Sequence, residues 1–298
     1  MSILPIVERT YGLKIRNSHQ IKDVYKIKTA NATYCLKPYS FSEDEVRFIV
    51  RILSWLDERG FTRSQKVYPT VQQSAYMTHK GSSYTLTNWV NGQNPKFTKR
   101  IDFKKAIATL ARFHSRAEGF PIDEAPASRI RYAGLDHEVS GYKEQLTPYK
   151  STTHLVTLCE EVLNLLQQPN ILEAIDREQK AAAFIHGDYN YPNLIIDRQH
   201  RLHLIDFENC SLHVRMKDLS HILHRNYLWN GTGMLRWIDF YQRYRPLSAL
   251  DLQLLHALLL TPYHVVRNMR RGGIRSAKRV IPTVAKLNKY RRELRALL

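Results

Sequence analysis

Two short apolar runs, each breaking into a polar loop, constrain this chain more than any other feature in it. The first reads Phe184-Ile185-His186-Gly187-Asp188-Tyr189-Asn190-Tyr191-Pro192-Asn193, and twelve residues on comes Ile205-Asp206-Phe207. Runs this short are strand-like, and the polar residues that end them mark loops. An Asp, an Asn and a second Asp thus stand on two loops, each entered from an apolar run.

Phosphoryl transfer explains why these residue types belong at this spacing. An acceptor hydroxyl must be oriented and relieved of its proton, while Mg²⁺ is held against nucleotide phosphates by a few oxygens. Asp188, at the head of its loop, suits the first task. Asn193 and Asp206 suit the second, because carboxamide and carboxylate oxygens are hard ligands for a hard cation. His-Gly-Asp alone reads as a turn; with Asn193, Asp206 and the flanking strands in register it reads as a catalytic loop.

In these residues the chain resembles the aminoglycoside and choline phosphotransferase superfamily, whose members share the bilobal fold of protein kinases. His186-Gly187-Asp188 with Asn193 is similar to its catalytic loop, and Asp206 to the metal-binding Asp. A closer likeness is to the CotS-type spore coat proteins, a kinase-like branch of that superfamily. It rests on Val24-Tyr25-Lys26, Tyr34-Cys35-Leu36-Lys37, Thr85-Leu86-Thr87-Asn88-Trp89-Val90-Asn91-Gly92 and Arg215-Met216-Lys217-Asp218-Leu219. The resemblance covers roughly residues 10 to 245. It implies an α+β fold with a small antiparallel-sheet lobe over residues 1–87, a hinge at 88–95 and a larger, mainly helical lobe over 96–298.

The periodicities agree with that order. Tyr25 to Lys28, Thr33 to Lys37 and Ser83 to Thr87 carry β-branched and aromatic residues, whereas Val46, Ile49, Leu53 and Leu56 recur at helical spacing within Glu43 to Glu58. Ser42 fits the N-cap of that helix, with Glu45 as capping-box partner. Gly92 and Pro95 break the chain after Asn88. Helical spacing then covers Asp102 to Arg116, Leu155 to Gln167, Lys217 to Leu228 and Leu250 to Leu260, interrupted by short strands at Ile195-Ile196 and Leu202 to Ile205.

The resemblance also implies site roles. Lys37 matches the lysine that holds nucleotide phosphates, and the hinge, through Asn88 and Val90, contacts the adenine of ATP. Such a lysine needs an anionic partner on the following helix. Glu45 is the better candidate because it shares a helix edge with Ile49 and Ile52, although its use in a capping box would keep it from Lys37. His186 reads as a structural histidine tying the loop to the core, Gly187 as a residue permitting a tight backbone, and Asp218 as a brace for the loop from a helix start. Glu208 reads as a brace or an added metal contact.

One departure bears on ATP. Protein kinases place glycines before the second strand so that backbone amides close over the phosphates. Here Arg16-Asn17-Ser18-His19-Gln20-Ile21-Lys22-Asp23 contains none. Asn17, Ser18 or Lys22 is left to make phosphate contacts. No Ala-Pro-Glu segment follows Glu208 and Asn209, which argues against a protein kinase.

Composition narrows the partners. At 298 residues and 43% apolar content the chain can build two cores, and disorder is excluded. No run of about 18 apolar residues is present to suggest a membrane span. Met1 to Arg9 lacks the pattern of a secretory signal, so synthesis in the cytoplasm is expected. Cys35, Cys159 and Cys210 form no metal or disulfide pattern and read as reduced, buried thiols. Cys35 and Lys37 should face the same side of one strand, so that modifying the thiol blocks nucleotide.

The net charge of +18 favours an anionic partner and makes polycationic aminoglycosides poor substrates. A neutral or anionic sugar, polyol or phosphorylated metabolite fits better. From Arg267 to Arg295 there are eleven Lys or Arg and one acidic residue, Glu293. This segment is either a solvated helix face, with Val280, Val284, Leu287, Leu294 and Leu298 as its apolar side, or a surface for a polyanion. No nucleic-acid-binding signature accompanies it. Two functions follow: an ATP- and Mg²⁺-dependent phosphotransferase acting on a hydroxyl of a small molecule or saccharide, or a kinase-shaped structural protein among spore coat partners.

Overall fold

The computed structural model describes residues 3–298. The chain divides into two compact units that do not follow chain order. One comprises the chain up to Pro95 with Phe120–Arg129 and Tyr191–Asn209; the other comprises Lys96–Gly119, Ile130–Asn190 and Cys210–Leu298.

The first unit is built on a six-stranded antiparallel sheet of order β1-β2-β3-β6-β4, with β5 also on β6. Its strands are β1 (Asn17–Ile21), β2 (Val24–Lys28), β3 (Thr33–Tyr39), β4 (Val67–Tyr68), β5 (Met77–His79) and β6 (Ser82–Asn88). Helix α1 (Leu4–Tyr11) packs Val7 and Tyr11 into one cluster with Ile27, Leu36, Met77 and Leu86. Helix α2 (Glu43–Glu58) buries Val46, Phe48, Ile49, Ile52, Leu53 and Leu56. Its start is set by Ser42, whose Oγ accepts from the Glu45 N–H at 3.3 Å. Residues 120–129 complete this core: Phe120 meets Phe48 and Trp55 edge-on, with ring centroids 5.3 and 5.9 Å apart.

The glycine-free segment is a tight hairpin, not an open loop. Ile21 pairs with Val24, so Lys22 and Asp23 alone make the turn, and Lys22 takes a φ of +56° where glycine or asparagine is usual. As β1 is the edge strand, alternate residues bond β2 while the backbone groups of those between face the open edge.

The second unit is helical, comprising α3 (Arg100–His114), α4 (Leu135–Leu146), α5 (Thr153–Leu166), α6 (Pro169–Lys180), α7 (Met216–Asn226), α8 (Gly231–Gln242), α9 (Ala249–Leu260), α10 (Tyr263–Ala277) and α11 (Val284–Leu294). Among its described residues a short ladder pairs Phe184–Ile185 with Ser211–Leu212. The α+β class with an antiparallel N-terminal sheet and a larger helical part is as expected.

Ala249–Ala277 is long and apolar enough to cross a membrane by length and composition, but 67% of its apolar window is buried within the protein, and Asp251, Gln253 and His256 interrupt it, so the sequence still holds no unbroken run of about 18 apolar residues. It is also not one helix: α9 ends before Thr261-Pro262, and α10 is kinked at Gly272-Gly273. The apolar side expected of the C-terminal segment needs correction. In α11 the apolar side is Leu287, Tyr290 and Leu294, while Val284 and Leu298 are 56% and 70% exposed. The large Tyr290 ring takes the core position, donating its hydroxyl to the Leu259 carbonyl at 2.7 Å.

Candidate active site

In the first unit the strand lysine meets the metal-loop carboxylates. Lys37 lies on β3 beside the conformationally restricted Pro38, with its Nζ 2.6 Å from Asp206 Oδ1 and 2.7 Å from Glu208 Oε1. Burial pushes the ammonium's pKa down, but Tyr39, Asp206 and Glu208 outweigh it and hold the group above the ordinary lysine value. The lysine is thus a fixed cation. Cys35, two residues earlier on the strand, is likewise buried, and burial raises its thiol to about 11 against the pull of Lys37.

Asp206 stands at φ +67°, a left-handed conformation that Asp tolerates better than most side chains. Its N–H donates to Gln65 Oε1 at 3.1 Å, which holds the strained residue in place. Asn193 closes the turn Tyr191–Asn193 and is 8% exposed, and its carbonyl accepts from the Ile205 N–H at 3.0 Å. This bond ties the Asn-bearing loop to the strand that leads into Asp206. Asn94 secures the same turn, its amide donating to the carbonyls of Tyr191, Pro192 and Leu194 at 3.1, 3.1 and 2.9 Å. Gly92 is required nearby, because a Cβ there would lie 2.1 Å from the Ile196 carbonyl oxygen.

Glu45 does not partner Lys37. Its Oε1 accepts from Arg129 Nε at 3.0 Å and from Ser128 Oγ at 3.2 Å, and Arg129 in turn donates to the Glu208 carbonyl at 2.6 Å. The Arg129 side chain is 4% exposed and must have a counter-charge. It therefore claims the helix carboxylate, and Lys37 is left to Asp206 and Glu208. At the hinge, Asn88 Oδ1 is engaged by the Lys66 N–H at 2.6 Å. Asn88, Trp89, Val90 and Asn91 line a cleft of about 420 Å³ with Asp197, Arg198 and His203.

Among the described residues no three His, Cys, Asp or Glu side chains converge as a metal cluster. Asp206 and Glu208 with one lysine between them still leave a local surplus of negative charge. A pair of carboxylates, one carboxamide and otherwise water and phosphate oxygens is the donor set Mg²⁺ takes in nucleotide sites, so the residues present fit that ion.

The second unit holds the loop of Asp188. Gly187 takes φ +80°, a backbone turn its lack of a Cβ permits. Asp218, fully buried in the first turn of α7, accepts from the His186 N–H at 2.8 Å and the Gly187 N–H at 3.0 Å. Burial pushes the Asp218 carboxyl up, but His114, His186 and the backbone donors outweigh it and hold it below the usual range. His114 Nε2 lies 3.6 Å from Asp218 Oδ2, and Tyr241 shares a 2.8 Å bond with Nδ1. Burial lowers His114 to about 4, so it is neutral at physiological pH. The His186 ring is buried, and its Nδ1 faces the Asp188 N–H at 3.4 Å. Asp188 itself is bonded through Oδ1 to Arg225 Nη1 at 2.8 Å.

Sequence reasoning missed Gln65, Asn94, Arg129 and Arg225. None stands in a local pattern; each acts through partners far along the chain. Glu208 was singled out from its place after Asp206, but its bond to Lys37 spans residues 37 to 208.

An antiparallel sheet carrying a buried, carboxylate-bound lysine, and a helical unit with a braced His-Gly-Asp loop, define a protein of the kinase-like class. The sequence profile of the Phosphotransferase enzyme family (APH) matches residues 12–250, and the chain belongs to that family. Solved structures share its fold. An aminoglycoside phosphotransferase from Alicyclobacillus acidocaldarius superposes with a TM-score of 0.79 at 20% identity, over 100% of this chain and 95% of that one. Spectinomycin phosphotransferase APH(9)-Ia, bound to AMP, gives 0.61 at 17% identity over 98% and 93%. The amicoumacin kinase hAmiN, in complex with AMP-PNP, Ca²⁺ and Ami, gives 0.62 at 15% identity over 99% and 92%.

Proposed function

We propose that this chain transfers the γ-phosphoryl group of Mg·ATP to a hydroxyl of a small molecule or saccharide other than an aminoglycoside, in association with the bacterial spore coat. The observation that carries the reaction is the assembly of Lys37 with Asp206 and Glu208, residues distant in sequence that set one buried, fixed cation against two carboxylates. Lys37 holds the nucleotide phosphates, and Asp206 and Asn193 hold Mg²⁺, which neutralises charge on the phosphates during transfer. Asn88 and Val90 meet the adenine. Asp188 orients the acceptor hydroxyl and takes its proton. The nucleotides and Ca²⁺ bound to the solved relatives support the same cofactor class. The coat association rests on the CotS likeness in the segments around Lys37, Asn88 and Asp218.

Titrating the protein with ATP, with and without Mg²⁺, tests the reading. Magnesium-dependent binding that disappears in Asp206→Ala is the expected result. No binding at millimolar ATP would sink it.

A second reading, a structural coat protein of kinase shape, is favoured by the hairpin at Lys22-Asp23, a two-residue turn without glycine that offers phosphates no glycine-lined cradle. It predicts that Asp188→Asn protein assembles and supports normal spores.

A further inference from the structure

The helical unit gathers positive charge around the carboxylate that the transfer reaction uses. Arg225, with its side chain 8% exposed, is bonded to Asp188, and Tyr263 Oη accepts from its Nε and Nη2 at 3.2 and 2.6 Å. The Tyr263 ring is itself stacked on His221, with centroids 3.9 Å apart and planes within 9°. The guanidinium is therefore clamped in orientation, as a binding group must be.

Helix α10 adds to this charge. Tyr263, Arg267 and Arg271 follow one another at four-residue spacing and so share a helix face. Arg267 is held below the ordinary arginine value by burial first, then by Arg225 and Arg271, with Tyr263 and Asp188 pulling the other way. His264 is lowered to about 4 by burial and then by Arg267, Arg225 and Arg271. Its Nδ1 is shut off from solvent and has no hydrogen-bond partner among the described residues. Arg225, bonded to Asp188, and Arg267, within electrostatic reach of both, repel one another, with Arg271 adding to the repulsion on Arg267, and one carboxylate cannot neutralise the pair. The surplus is positive and lies beside the group that must receive a hydroxyl.

We propose, resting on the phosphotransferase reading, that the acceptor is an alcohol carrying its own anionic group, a phosphate or a carboxylate, and that Arg225 and Arg267 bind that group. The anion takes over part of the hydrogen bonding of Arg225 and leaves Asp188 to the hydroxyl. In the transfer the hydroxyl oxygen bonds to the γ-phosphorus, the bond from that phosphorus to the bridging oxygen of ADP breaks, and the hydroxyl proton passes to Asp188. Amine-bearing acceptors are repelled by the same residues. Arg225 and Arg267 are positioning and specificity residues; Asp188 is the catalytic one.

The test is calorimetry on the full chain with glucose 6-phosphate, glycerol 3-phosphate and glucuronate, against glucose, glycerol and glucosamine, with and without Mg·AMP-PNP. At least one anionic alcohol should bind ten-fold or more tighter than its neutral counterpart, and glucosamine should not bind. Phosphate against carboxylate preference separates the two anion types. Arg267→Gln should weaken the anionic ligand about 10- to 100-fold, the range of a charge-assisted hydrogen bond, while leaving the neutral sugar unchanged. Arg275→Gln, at an exposed position beyond the kink at Gly272-Gly273, should change neither. Equal binding of neutral or cationic alcohols, no binding by any anionic one, or an Arg267→Gln effect common to all ligands overturns the proposal. Anion binding without ADP formation would instead strike at the transfer reaction and leave the anion site standing.

Discussion

In the sheet-bearing unit a lysine is held by two carboxylates, whereas in the helical unit a carboxylate is bonded to one guanidinium and lies within electrostatic reach of a second. The composition of the two follows suit: the first has 16 Lys and Arg against 12 Asp and Glu, a net of +4, and the second has 29 against 15, a net of +14. Both are basic, so net charge alone does not distinguish what they bind. The local balance does. Around Lys37 one positive charge meets two negative ones, which leaves room for a cation. Around Asp188 the pair with Arg225 is balanced and Arg267 tips it to the opposite sign, which leaves room for an anion. A global charge of +18 conceals two sites of opposite demand.

The largest test removes the carboxylate of the second site. Asp188→Asn should lower the transfer rate by roughly 10²- to 10⁴-fold, the usual contribution of a general base, while Mg·ATP affinity stays as it was. A parallel loss of nucleotide binding would break the separation drawn between the two sites. Next in size is the buried pair that supports the helical unit. Glu178 accepts from Arg215 through its backbone N–H at 2.7 Å and its Nη2 at 2.5 Å, with the side chains 6% and 7% exposed. Glu178→Gln leaves the buried Arg215 guanidinium with only the partly exposed Glu118, 2.6 Å from its Nη1, as counter-charge and should cost about 2 kcal/mol of stability, read as a lower denaturant midpoint with an unchanged slope.

A smaller effect sharpens the first site. Glu208→Gln removes its surplus negative charge while Lys37 keeps Asp206. For a partly exposed charge this is worth about 1 kcal/mol, or roughly a five-fold loss in apparent Mg²⁺ affinity. If the affinity is unchanged, Glu208 only places the lysine and the local charge balance is not what recruits the ion.

How much of this could be read from sequence depends on how local each signal is. Helix α2 declares itself through four apolar residues at helical spacing and a serine cap, and the loops of Asp188 and Asp206 through strand-to-loop transitions a few residues long. Helix α1, eight residues long, is too short to show a period. Tyr290 was passed over in favour of Val284 because the two sit on neighbouring faces of α11, and only the packing of α9 against the tyrosine decides between them. The choice of partner for Lys37 was beyond reach for a related reason. Sequence offers Glu45 on the next helix, but Arg129, buried and 84 residues away, competes for it. Arg225 carries no motif at all, and its role appears only when α7 sets it against Asp188.

The gentlest test of the contrast between the units uses pH. His114, His213, His221, His224, His256 and His264 are all held down chiefly by burial, and all lie in the helical unit. His114 and His224 are each lowered to about 4. In the unfolded chain a histidine takes up its proton near 6.5. Between about 6.5 and 4, then, the unfolded state binds more protons than the folded one, and stability must fall as the pH falls through that window. Asp218 and Glu178, held below the ordinary carboxylate range because their partners outweigh burial, add a second loss only further down, as pH drops below their unfolded values near 4. Hydrogen exchange, corrected for its intrinsic pH dependence, should therefore show amides of α7 and α9 losing protection from about pH 6 downward while those of β2 and β3 hold. Simultaneous loss in both sets would mean that the buried histidines of the helical unit do not govern its acid stability, and that its sensitivity begins with the carboxylates.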